Sequence, residues 1–239
     1  MRIRSSMQEI RKKLIALSES DYKKFNEKIV PGAKNVLGVR LPAMREAAKK
    51  AAKERPEQFL CEIEAALQKN RESIYYEEIM VYGLMIGYAK FTDEKRRYWL
   101  NQFRAHIDNW AICDSCCMTY KWMKKQPEDW WEYLESCIAE NTEYSIRFAV
   151  VCMLAHYVND VYIDRILCWC NEISHEGYYV KMAVAWLVSV CFVKYPEKTL
   201  ELLKKDKMDI FTHNKAIQKI CESYRVSKEE KTIVRALKK

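Results

Sequence analysis

Apolar positions recur every three or four residues over most of this chain, the spacing of amphipathic helices rather than of strands. Ile10, Leu14 and Leu17 form one stripe of a helix predicted over 6–17. Pro42 and Pro56 each sit where a proline suits the first turn of a helix. Residues 44–53 continue the first, and Phe59, Leu60, Ile63 and Leu67 mark the buried side of the second. A long apolar helix is predicted over 74–88, in which Gly83 and Gly87, one turn apart, leave room for a neighbour to approach closely. Further helices are expected over 92–103, 109–124, 128–140, 143–157, 162–171, 178–194, 210–224 and 227–237. Short polar turns around Pro127, Asn159 and Pro196 separate some of them.

Helix pairs therefore recur roughly every 35–45 residues, the period of HEAT-type helical hairpins. Each hairpin exposes an apolar face that the next one covers. The expected fold is all-α: HEAT-like repeats forming a curved α-solenoid whose concave surface could cradle a duplex. No linker composition interrupts the chain, so residues 1–239 read as a single domain. Five glycines and five prolines are too few for the many tight turns of a β-sandwich or barrel.

Forty-one lysines and arginines against 33 acidic residues give a net charge of +8, which favours a polyanionic partner without choosing among DNA, RNA and anionic lipid. The opening residues contain no apolar run of signal-peptide length, and the most apolar stretch, 182–193, is too short to span a bilayer. A cytoplasmic location is expected. In that setting the ten cysteines are expected to be reduced, packed thiols. Cys113 and Cys116 form a CxxC, but Cys168 and Cys170 are one residue too close to complete a paired zinc knuckle, so no metal site is assigned.

Four residues could carry chemistry. Trp110 and Asp114 lie four apart, on one helical face, where a ring face and a carboxylate could together hold a cationic centre. The plainer reading is a core tryptophan beside a capping or lysine-paired aspartate. Arg147, at the polar end of an apolar helix, could grip a phosphate or pair with Asp114; taken alone, a structural ion pair is the plainer reading. Trp186 stands in core-like surroundings and would face a ligand only from an exposed wall.

In combination these features resemble a family. The stretch containing Leu37, Gly38, Arg40, Pro42 and Arg45 resembles the Leu-Gly-hydrophobic-x-x-Pro-x-x-Arg entry of AlkD-type DNA alkylation repair proteins. Trp110 and Asp114 match that family's Trp-x-x-x-Asp motif, Arg147 its arginine after an aromatic, and Trp186 its Ala-x-x-Trp helix. The region around His213 resembles its closing repeat. The resemblance implies cofactor-free excision of N3- and N7-alkylated purines from double-stranded DNA by a monomer. Asp114 would stabilise the developing sugar cation and help position water. Trp110 and Trp186 would wall the lesion nucleotide, and Arg147 would hold the DNA backbone or orient Asp114. The chain departs from the family near its start: Ile29 falls about where an aromatic contacts the lesion, and Tyr22 or Phe25 would have to substitute.

Basic residues gather at 11–13, Arg40, Arg45, 49–50, Lys53, Lys121, 124–125, Lys181, Lys215 and Lys219. Arg40, Arg45, Lys121, Lys181 and Lys215 are the expected DNA contacts, made to the phosphate backbone with little preference for base sequence. Two other classes of function fit the same sequence. One is a non-catalytic module for damaged, bent or branched DNA, with Asp114 structural. The other is a helical-repeat scaffold for proteins. The four histidines are scattered without ligand or triad spacing.

Overall fold

The computed structural model describes residues 5–239; the first four residues of the chain opening lie outside them. Among the described residues there are fourteen α-helices, two short 3₁₀ turns and no strand, so the all-α reading holds. Contacts divide the chain into two compact units, Met1–Lys121 and Trp122–Lys239.

In the first unit the helices are α1 Ser6–Ala16, α2 Ser20–Ile29, α3 Leu41–Glu54, α4 Pro56–Lys69, α5 Tyr76–Tyr88, α6 Asp93–Arg104 and α7 Trp110–Cys117. Polar side chains set several starts: Ser5, Thr92 and Asn109 each accept a backbone N–H of the helix they precede. Helix α5 is the hub, packed against α3, α6 and α7. Beyond its first turn it is apolar on every side, as suits a helix surrounded by others. Gly83 and Gly87 do what their spacing predicted. A Cβ on Gly83 would overlap the Phe103 ring, and one on Gly87 would overlap the Thr119 side chain. Gly83→Ala is therefore expected to cost about 1–3 kcal/mol through overpacking, read as a lower midpoint in urea with an unchanged slope.

Two consecutive carboxylates, Glu77 and Glu78, are fully buried in the first turn of α5. Each is satisfied by a different part of the unit. Glu78 takes Arg11 in a two-point pair at 2.8 and 2.7 Å, and the Tyr75 N–H at 2.9 Å. Glu77 accepts the backbone N–H groups of Leu37, Gly38 and Val39 at 2.9, 2.8 and 3.2 Å. The loop before α3 is thus wrapped around a buried anion. Gly38 takes φ +92° there, with the Glu19 carbonyl and Lys23 too close to admit a side chain.

The second unit contains α8 Pro127–Ala139, α9 Glu143–His156, α10 Ile163–Glu172, α11 Tyr178–Lys194, α12 Pro196–Lys205, α13 Ile210–Glu222 and α14 Lys228–Arg235. Helices α9, α11 and α13 pack in succession as an inner row. α8 covers α9, and α10 and α12 cover α11, the layered stacking of an α-solenoid. The last residues are clasped onto α13: buried His213 meets Asp206 at 2.7 Å and the Leu237 carbonyl at 2.8 Å. No helix among the described residues is long and apolar enough to cross a membrane.

Three elements differ from expectation. Helices α2 and α12 do not appear in the apolar pattern because each hides so little: Asn26 alone in α2, Thr199 and Leu203 in α12. The predicted helix over 109–124 is not continuous. α7 stops at Cys117, where the Thr119 hydroxyl donates to the Cys116 carbonyl at 2.7 Å and tightens the chain, and a 3₁₀ turn follows over Lys121–Lys125.

Candidate functional site

Helix α7 begins at Asn109, whose side chain accepts the Ile112 N–H at 3.0 Å. The cap starts the helix at Trp110 and puts Asp114 one turn further on the same face. Ala111, Ile112, Cys113, Cys116 and Cys117 occupy the buried remainder, whereas Trp110 and Asp114 are both partly exposed. The same helix that anchors itself with thiols and aliphatics presents an indole and a carboxylate outward.

The packed thiol beneath them is informative about their surroundings. Burial pushes the Cys116 thiol far above its ordinary range; its neighbours Cys113 and Asp114 push the same way, and the positive charge of Arg45 opposes them. Arg45 and Asp114 thus act on one buried sulfur from α3 and α7. Arg45 is half-buried, its Nε enclosed without a hydrogen-bond acceptor, and its charge also reaches the Tyr88 hydroxyl. Sequence reasoning placed Arg45 among the DNA contacts; the structure sets its charge in the same neighbourhood as Asp114. Among the described residues no group of three or more His, Cys, Asp or Glu side chains is arranged to hold a metal.

Arg40 and its surroundings are more exposed. Its guanidinium pairs with Glu19 at 2.9 Å and lies over the Tyr22 ring at 4.9 Å. Tyr22 is thereby covered, while Phe25 on α2 is 53% exposed and Ile29 40% exposed. Of the two aromatics that could replace the one missing at Ile29, Phe25 is the more accessible. Lys121 is exposed at the end of this unit. Arg11, counted with the basic clusters, is instead consumed by Glu78 and the Ser73 carbonyl.

In the second unit Arg147 is buried, 5% exposed, in the second turn of α9. Its Nη1 donates to the Tyr179 carbonyl at 2.7 Å and its guanidinium sits 5.9 Å from that residue's ring centre. This is a fixed cation that ties α9 to the start of α11. Lys181 pairs with Glu176 at 3.0 Å and Asp209 at 3.6 Å, and Lys215 donates to Gln218 while lying 5.7 Å from the Phe211 ring centre. Tyr178 and Phe211, both exposed, are 5.8 Å apart beside these cations; the sequence reading passed over them because nothing in their spacing separates an exposed aromatic from a buried one. Trp186 is half-buried on α11 and borders a cleft of about 360 Å³, with Lys219 and Arg225 on its other side. Arg225 lies after α13 and was not among the basic residues picked out in the sequence.

Across known proteins, residues 10–220 match the sequence profile of a family described as DNA alkylation repair enzyme. A search of curated proteins finds no significant match.

Proposed function

Because the chain belongs to the DNA alkylation repair enzyme family, we propose that it is a DNA glycosylase that removes N3- and N7-alkylated purines from duplex DNA. The observation that carries this reading is the partly exposed Trp110–Asp114 pair, one turn apart on a helix whose other residues, Ser115 aside, are buried. Alkylation gives such a purine a formal positive charge. When the bond from the sugar's anomeric carbon to the base nitrogen breaks, its electron pair neutralises the base. Positive charge then develops on the sugar. A carboxylate fixed beside that carbon is worth more at this stage than before it, which is the condition for rate acceleration. Water adds to the anomeric carbon and loses a proton, and the base leaves as a neutral molecule.

In this reading Asp114 is the electrostatic catalyst and orients the water, Trp110 and Trp186 face the lesion's sugar and backbone, and Arg147 holds the DNA backbone or orients Asp114. Arg40, Arg45, Lys121, Lys181 and Lys215 hold phosphates. The enzyme acts as a monomer without a cofactor. Phosphate contacts of this kind make affinity fall with salt, by a log–log slope of about 0.9 per contact.

The test is release of 3-methyladenine and 7-methylguanine from methylated duplex DNA by the native chain. Release of either base supports the glycosylase. Salt-sensitive binding with no release of either would instead favour the second reading, a non-catalytic module for damaged or distorted DNA. On that side stands the resemblance's departure near the start of the chain, which sets Ile29 about where an aromatic would contact the lesion.

A further inference from the structure

The cleft of about 360 Å³ beside Trp186 has two unlike walls. One, on α11, is mainly apolar: Trp186, Val190 and Val193. The other, at the end of α13 and just beyond, brings Lys219, Ser223 and Arg225. Lys194 and Glu222 also border it, so three cations face one anion. Glu222 is engaged by the Gln218 amide at 2.7 Å, and Lys194 by the Val158 carbonyl at 2.8 Å.

Lys181, Lys198, Lys204 and Lys205 of this unit each lie against a carboxylate, whereas neither Lys219 nor Arg225 has an ion-pair partner among the described residues, and Lys194, the cleft's third cation, is held by a carbonyl. Two uncompensated cations across a cleft from an indole and two valines suit a ligand that is anionic on one side and apolar on the other. A sugar–phosphate unit has that character.

We propose that this cleft binds one phosphodiester of a DNA strand, the phosphate held between Lys219 and Arg225 and the adjoining deoxyribose covered by Trp186 and Val190. The assignment rests on the DNA-binding part of the reading above and extends it. Arg225 lies beyond the stretch matched by the family profile, and Lys219 lies at its edge.

The experiment is binding of the full chain to an undamaged duplex oligonucleotide across a range of NaCl concentrations. Native protein is compared with the Lys219→Gln/Arg225→Gln variant. The log–log slope should fall by about 0.9, one phosphate contact, and Glu222→Gln should tighten binding. Lys198→Gln/Lys204→Gln removes the same charge from ion-paired lysines of the same unit and should leave the slope near native; an equal fall would reduce the effect to net charge and overturn the site. Inorganic phosphate at matched ionic strength should not displace the duplex. Displacement would reveal a simple anion site and overturn the sugar–phosphate assignment. Base release measured in parallel separates the two readings. An unchanged slope with release intact overturns the cleft alone, and absence of salt-sensitive binding by the native chain overturns both.

Discussion

Replacing Asp114 by asparagine is expected to slow alkylpurine release by about 100- to 1,000-fold, the usual cost of removing one preorganised group aimed at developing charge. The substitution keeps the shape of the side chain and its place on α7, so helical content and DNA affinity should stay near native. The effect belongs to the chemical step. The lesion is already cationic when bound, and a neutral amide in place of the carboxylate loses most at the point where charge moves onto the sugar. Single-turnover release from methylated duplex DNA, with binding measured on the same preparation, separates the two contributions. A rate within about tenfold of native, a barrier change under ~1.4 kcal/mol, would remove Asp114 from the role of catalyst.

Glu77→Ala should produce the largest loss of stability. The carboxylate is fully buried and accepts three backbone N–H groups of the loop before α3. Alanine leaves Leu37, Gly38 and Val39 without an acceptor, and each buried unsatisfied donor costs about 1–3 kcal/mol. Even if water recovers part of this, a loss of about 3 kcal/mol corresponds to a Tm lower by roughly 6–12 °C. Glu77→Gln keeps one acceptor oxygen and should fall between alanine and native. A thermal melt of Glu77→Ala within about 1 °C of native would mean that the loop holds its shape without the anion.

How much of this was legible in the sequence varied with the range of the interaction. Repeating apolar stripes marked twelve of the helices, and the Gly83–Gly87 spacing foretold the tight packing around α5, because both are properties of one segment. Helices that bury one or two side chains, α2 and α12, lack the stripe and were missed. The break after Cys117 depends on a hydroxyl bending back on its own turn, which an apolar pattern does not record. The Leu37–Gly38 motif was visible as a resemblance, but its physical reason, a carboxylate 39 residues further along the chain from Gly38, was not. Trp110 and Asp114 were placed on one face correctly from spacing alone. The cleft of Lys219 and Arg225 was beyond reach, since being unpaired is a fact about every carboxylate nearby and not about either cation.

The burial of the cysteines bears on the chemistry of alkylation that the protein's family deals with. An alkylating agent attacks thiolates as readily as purines, and a thiol held protonated away from solvent is a poor target. Seven of the ten cysteines are buried; burial drives Cys170 well above the ordinary thiol range and Cys191 to about 12. Even exposed Cys168 is pushed upward, chiefly by its hydrogen bond to Glu172. The buried thiols are thus kept out of reach of electrophiles, which leaves Cys61 and Cys168 as the exposed ones.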